Sequence, residues 1–311
     1  MTQEASEGRP RRQPHVILLY AILVVVWGLV WPVSKLALEA CPPVLFAGLR
    51  VLLSGIVLLP WALKGLRRDG FWVNVLLAFL NMFLFYGLQN IALQRLPAGL
   101  LAIVVYIQPV VTAVVARLWL NEALNPIKAV GIVIGFVGVG VISVAQMHGH
   151  RASGWYILLG LAAGFSWAFG TIVYKKFRVN PKPLHDVGVQ LTIGGVLLMG
   201  LGSVTERWSQ IHWSGAFWVE LLFVALIGTS LAWAIWSQLL KTGEASKVAA
   251  WTFLVPVLST VLSVVWMGES VTVGLWVGGA GVILGLYLVN GVNRRSPQAP
   301  LASKINSGAR R

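Results

Sequence analysis

The stretch Trp27–Lys35, WGLVWPVSK, has a counterpart 140 residues further on at Trp167–Lys175, WAFGTIVYK. Each ends an apolar run, starts with Trp and places Lys eight residues later. A helix that crosses a bilayer needs roughly 20 largely apolar residues, because the hydrocarbon core is about 30 Å thick and each residue rises about 1.5 Å. The runs that these two stretches close have that length. The repeated frame therefore suggests a duplicated membrane protein whose helices meet at a shared site.

Outward from these stretches the apolar runs fall into two sets. The first set covers about His15 to Leu36, Pro43 to Leu63, Phe71 to Leu93, Ala98 to Leu120 and Ile127 to Ala145. The second covers about Gly154 to Lys176, Val187 to Val204, Gly215 to Leu240, Ala245 to Met267 and Val273 to Gly291. Composition agrees: 57% of residues are hydrophobic, 11% are charged, and the mean hydropathy is +0.79. A soluble domain of 311 residues has no core large enough to hide that much apolar surface. The expected fold is an all-α integral membrane protein with ten transmembrane helices.

Charge sets the orientation. With a cytoplasmic amino terminus, only Lys35, Arg95, Arg151 and Arg207 fall outside and Arg50 lies within a span, which leaves the other nineteen of the 24 Lys and Arg inside. That segregation predicts cytoplasmic termini and the cytoplasmic membrane. The net charge of +14 thus points to anionic membrane lipid, not to nucleic acid. The basic start at 8–13 leads into a run of spanning length with no small-residue cleavage site, so the first helix is expected to stay uncleaved.

Five helices per half is an odd number, so homologous halves must enter the membrane from opposite sides: an inverted repeat. The expected division is a cytoplasmic tail at 1–14, a first repeat at 15–145, an external linker at 146–153, a second repeat at 154–291 and a basic cytoplasmic tail at 292–311. FAGLRVLLSG (Phe46–Gly55) aligns with DVGVQLTIGG (Asp186–Gly195) at an offset of 140, which sets Arg50 against Gln190. VYIQPVVTAVVARLWLNEAL (Val105–Leu124) aligns with TFLVPVLSTVLSVVWMGESV (Thr252–Val271) at 147, pairing Pro109 with Pro256 and Glu122 with Glu269.

Over about residues 15 to 291 the chain resembles EamA-type members of the drug/metabolite transporter superfamily. Their pattern has ten helices in two repeats, Trp-Gly near the end of the first, and Pro followed by a terminal Glu in the fourth and ninth. The second repeat departs from it with Ala168 in place of Gly28 and Gln190 in place of Arg50. The resemblance implies export or exchange of small organic metabolites, often amino acids.

Several residues are candidates for such a site. Arg50 lies about seven residues into the second helix, where a central Arg costs about 2.5–3.5 kcal/mol on insertion scales. Its guanidinium suits a carboxylate bidentately; snorkelling to the outer headgroups or bonding helix carbonyls fits equally well. On the third helix Phe85 and Gln89, and Tyr86 and Asn90, are each four apart and share a side. At 147 residues' offset the eighth helix sets Trp233 against Tyr86, Ser237 against Asn90, Ala232 against Phe85 and Trp236 against Gln89. Tyr86, Asn90, Trp233 and Ser237 are therefore expected to form a cavity near the bilayer midplane, with Trp27 and Trp167 at its ends. Trp31, Tyr106 and Trp251 add aromatic surface. Most of the 15 Trp, among them Trp61, Trp72, Trp119, Trp213, Trp218, Trp266 and Trp276, suit interfacial belts. Pro109 and Pro256 should break their helices, either bending a vestibule wall or improving packing.

Other chemistry finds no support. No Walker loop, HExxH, GxSxG or catalytic carboxylate pair occurs, so no catalytic residue is expected. The five His lack metal-ligand spacing, so neither a metal nor a cofactor is expected, and a single Cys41 excludes an internal disulfide. GxxxG pairs at Gly131/Gly135, Gly274/Gly278 and Gly281/Gly285 suit close helix packing. Glu220, a turn and a half into the eighth helix, suits an interfacial place or a titrating one. The rivals to a transporter are a solute channel, which would need a polar ring at a constriction, and a membrane-embedded enzyme. A homodimer is compatible with the sequence, which does not fix the oligomeric state.

Overall fold

A computed structural model describes residues 14–64, 70–96, 98–145, 154–177, 182–267 and 272–291. The tails at 1–13 and 292–311, the linker at 146–153, Glu269 and the side chain of Trp266 lie outside the described residues. All regular structure among the described residues is helical. In chain order the helices are α1 (Pro14–Ala40), α2 (Pro43–Lys64), α3 (Phe71–Arg95), α4 (Ala98–Val105 and Gln108–Trp119), α5 (Pro126–Ala145), α6 (Gly154–Phe177) and α7 (Pro183–Thr205). After these come α8 (Gly215–Thr242), α9 (Ala245–Ala250, Trp251–Phe253 and Leu254–Met267) and α10 (Val273–Gly291). Among the described residues nine segments are long and apolar enough to span a bilayer, and the apolar stretch Pro126–Ile142 of α5 is shorter.

Starts and breaks follow local chemistry. Pro43, Pro126 and Pro183 open their helices, where a missing N–H costs nothing. The Asn125 side chain accepts from Lys128 N at 2.8 Å, and the Ser214 hydroxyl accepts from Phe217 N at 3.1 Å, each satisfying an orphan donor. Pro109 sits in the first turn after a break at 106–107 of α4, so the expected mid-helix kink is a full interruption there. In α9 the matching disturbance is the 3-10 turn Trp251–Phe253 just before Pro256. Both α3 and α8 relax into π-helix, over Ala78–Leu84 and Phe223–Leu231, stretches that overlap at the 147-residue offset.

Glycines set the closest helix contacts. A Cβ on Gly55 would meet Thr192 N at 2.6 Å and one on Gly195 would meet Leu52 Cα at 2.6 Å, so α2 and α7 touch backbone to backbone. On α5 and α10 a Cβ on Gly131 would meet Gly285 O at 2.8 Å, and one on Gly138 would meet Gly278 O at 2.6 Å. Without a hydrophobic drive between helices in lipid, such close approach is what dispersion needs. Helices α1 and α8 run antiparallel: His212 N, just before α8, donates to Ala40 O at 2.8 Å, while Gly243, just after α8, lies beside the Tyr20 hydroxyl. Trp61, Trp72, Trp119, Trp213, Trp218 and Trp276 are exposed, as the belt expectation requires.

Candidate functional site

Arg50 is the centre. Its side chain leaves α2 into the bundle and is 1% exposed, so it does not snorkel to the headgroups. Nε donates to the Thr229 hydroxyl at 2.7 Å, and Nη1 reaches the Ser34 hydroxyl at 3.4 Å. The guanidinium lies 4.6 Å from the Tyr86 ring centroid, a cation–π distance. Among the described residues no Asp or Glu forms an ion pair with it. A buried cation held only by hydroxyls and a ring keeps most of its electrostatic demand unmet. Thr229 comes from the π-helical stretch of α8, where the hydroxyl also donates to Val224 O at 2.7 Å. Gly228 beside it lets α8 close on α1, since a Cβ there would collide with Val30.

Around Arg50 stands an aromatic wall. Trp233 Nε1 donates to the Tyr86 hydroxyl at 2.7 Å, so these two repeat-matched residues meet directly. Phe85 lies 5.2 Å from Trp167, and Trp31 Nε1 donates to the Tyr106 hydroxyl at 3.3 Å. Together Trp27, Trp31, Arg50, Phe85, Tyr86, Gln89, Tyr106, Trp167, Trp233 and Val30 enclose a cavity of ≈ 30 Å³. That is room for about one water, against roughly 300–1,000 Å³ for a typical ligand pocket. Two buried polar atoms on this wall, Gln89 Oε1 and Trp167 Nε1, have no hydrogen-bond partner among the described residues, so an acceptor and a donor stand ready beside the guanidinium.

Three expectations need correction. Trp27 and Trp167 do not sit at opposite ends of the cavity; they meet edge to face with centroids 5.3 Å apart, because α1 and α6 carry them to one level of the bundle. Asn90 is fully buried but off the cavity wall: its Nδ2 turns back to Tyr86 O at 2.8 Å, within its own helix. Ser237, also buried, is likewise absent from the wall. The sequence reading assigned no role to Ser34 or Thr229; no local signal marks them, because their partner is reached only by folding.

Polar side chains elsewhere hold helix ends. Glu206 accepts from Val44 N at 3.0 Å and Leu45 N at 2.7 Å at the start of α2. Glu122 accepts from Ala245 N at 2.6 Å and Ser246 N at 3.2 Å at the start of α9. Both place a carboxylate on the positive end of a helix dipole. Asn121, at φ 54, takes the left-handed turn that aims Glu122 there. Next to it Lys128 bonds Glu244 at 2.8 Å, and Lys247 bonds the same carboxylate at 2.6 Å. Burial raises the Glu244 pKa, but the hydrogen bonds and charges of Lys128 and Lys247 outweigh that and hold it below its ordinary value. No group of three or more metal-ligating side chains occurs among the described residues.

Known proteins with this sequence pattern are transporters. The family model described as the EamA-like transporter family matches residues 15–144 and again 154–291. "Uncharacterized transporter YvbV" of Bacillus subtilis is 42% identical over 94% of this chain and 96% of its own. A "Probable amino-acid metabolite efflux pump" of Salmonella typhimurium is 32% identical over 87% of this chain and 93% of its own. A solved crystal structure, 19% identical, superposes with a TM-score of 0.75 over 89% of this chain and 96% of that one, a likeness of fold alone. With two family matches covering both halves and relatives aligned nearly end to end, the chain belongs to the EamA-like transporter family and is a multi-pass membrane transporter.

Proposed function

We propose that the protein exports or exchanges small organic metabolites, amino acids among them, across the cytoplasmic membrane by alternating access. In this reading residues 15–145 and 154–291 are inverted five-helix repeats joined at 146–153, and both termini are cytoplasmic. Charge segregation supports that topology, as do the π-helical stretches of α3 and α8 at matching positions. The solute binds at the aromatic cavity, its anionic group accepting from Arg50 and the Trp167 indole N–H, and a neutral or cationic donor group on Gln89 Oε1. Tyr86, Trp233, Trp27 and Trp167 supply its apolar walls, while Asn90 and Ser237 stiffen the helices behind. The name of the Salmonella typhimurium relative favours an amino-acid metabolite as solute.

One observation carries the reading: Arg50 is buried beside a cavity with no carboxylate among the described residues to neutralise it. A cavity of ≈ 30 Å³ is the closed form, and binding opens it. The test is saturable efflux or counterflow of amino acids in proteoliposomes. Arg50→Lys keeps the charge but loses the planar fork, so transport falls; Arg50→Gln abolishes it. Normal transport by a folded, inserted Arg50→Gln protein would overturn the proposal.

A further inference from the structure

A second cavity opens on the flank of the bundle, away from Arg50. It is a groove of ≈ 800 Å³ between α1, α2, α7 and α8. Lys64 closes α2, Lys182 immediately precedes α7, and Lys241 lies one residue before the end of α8, so three helix ends bring ammonium groups to one rim. His185 joins them, and among the described residues no Asp or Glu lines the groove. Below the rim the wall is apolar and faces outward: Trp61 is 48% exposed, Leu184 37% and Leu231 42%. Leu231 stands ten residues before Lys241 on α8, which puts it about 15 Å deeper along the helix axis.

Lys128, Lys175 and Lys247, also at this end of the bundle, do not line the groove. Lys128 and Lys247 are paired with Glu244, and Lys175 caps α8. The large basin elsewhere on the surface, bordered by Glu39, Glu206 and Arg207, mixes both signs of charge. Among the described residues the groove at Lys64 combines a basic rim with a long apolar descent, and that pairing matches a phospholipid better than a soluble anion, which has nothing to lay against Trp61 or Leu231.

We propose that this groove binds one anionic phospholipid, its headgroup phosphate on the exposed ammonium groups of Lys64 and Lys182 and an acyl chain along Trp61, Leu184 and Leu231. The leaflet it is drawn from, the cytoplasmic one, rests on the topology given above; the binding itself does not. Lipid held here sits against α1 and α8, both of which also wall the Arg50 cavity, so it braces the elements that must move when that cavity opens.

The experiment uses the full chain, purified in detergent and titrated with phosphatidylglycerol or phosphatidylcholine of identical acyl chains, with retention read by native mass spectrometry and stabilisation by thermal unfolding. Phosphatidylglycerol is expected to bind more tightly and to stabilise more. Lys64→Gln and Lys182→Gln, on exposed side chains, should each weaken it about fivefold and leave phosphatidylcholine unchanged. Leu231→Ser should weaken both lipids. Glycerol 3-phosphate, which carries the phosphate without the chains, should neither stabilise nor compete. Equal affinity for the two lipids, an undiminished preference in the Lys64→Gln/Lys182→Gln protein, or full protection by glycerol 3-phosphate would each overturn the proposal. None of these readouts involves transport, so failure here leaves the transporter reading intact.

Discussion

Lys35 and Lys175, 140 residues apart, make the same contact at opposite ends of the bundle. Lys35 Nζ donates to Leu93 O at 2.6 Å and Leu96 O at 3.4 Å, at the last turn of α3. Lys175 Nζ donates to Leu240 O at 2.7 Å and Gly243 O at 2.5 Å, at the last turn of α8. The acceptors match at the offset of 147, and the antiparallel course of α1 and α8 sets the two caps at opposite ends. Each lysine satisfies orphan carbonyls and the negative end of a helix dipole.

From that equivalence, Lys35→Met and Lys175→Met should each destabilise the protein, by about 0.3–1 kcal/mol for an exposed cap and up to about 2 kcal/mol for a partly buried one. Thermal unfolding in detergent measures it, and arginine at either place should recover part of the loss. A silent Lys175→Met would mean that the carbonyls of α8 are satisfied without this side chain.

Much of this was legible beforehand, and the reasons differ by residue. Among the described residues nine of the ten apolar runs became helical segments long and apolar enough to span and the fifth a shorter apolar helix, because in lipid the backbone has no other way to satisfy itself within a single segment. Repeat arithmetic put Tyr86 and Trp233 on one expected cavity; that they hydrogen-bond to each other is read only from the fold. For Lys35 the charge count gives only the outer end of the first run, whereas the fold shows it spending its ammonium on a neighbour's helix end. The π-helical stretches left no trace in composition, since their register depends on what packs against them. Asn90 misled because periodicity gives a face but not a rotamer, and the amide turned to its own backbone. Counting residues gives the depth of Arg50 along α2 but not its burial, which depends on the helices that surround it.

Topology can be read with cysteine labels, and the native thiol helps. Cys41 is 3% exposed, and burial, aided by the nearby Glu206 charge, pushes its pKa up to about 12. It should therefore stay unreactive toward maleimides at pH 7–8, where almost no thiolate forms. Against that silent background, Lys176→Cys should be blocked only by reagents that cross the membrane, and Gln210→Cys by impermeant ones too. Labelling of Lys176→Cys by an impermeant reagent on intact cells would sink the inverted arrangement.

Acid should loosen the Glu244 junction. The folded-state pKa lies below the ordinary 4.5, so its contribution is fully present above that value and is lost as pH falls through 4.5 toward the folded value. Because the side chain is 42% exposed, salt should shrink the effect. The wild type should lose more thermal stability than Glu244→Gln between pH 6 and pH 3, and the gap should narrow at high ionic strength. Parallel curves for the two proteins would show that the Lys128–Glu244–Lys247 cluster adds nothing.

The Tyr86–Trp233 bond makes the sharpest test of the cavity. Removing the hydroxyl with Tyr86→Phe leaves the Trp233 indole N–H without its partner at 2% exposure, yet keeps the ring under the Arg50 guanidinium. Single hydrogen bonds between membrane helices average only about 0.6 kcal/mol, so the protein should fold and insert. If the pair only braces α3 against α8, Tyr86→Phe and Trp233→Phe should shift stability slightly and leave transport kinetics alone. If solute enters between them, Tyr86→Ala and Trp233→Ala should lose affinity, aromatic but not aliphatic replacements should restore it, and solute should change the fluorescence that Trp233 contributes. Unchanged affinity and rate in both alanine variants, once shown to be folded, would place the solute elsewhere.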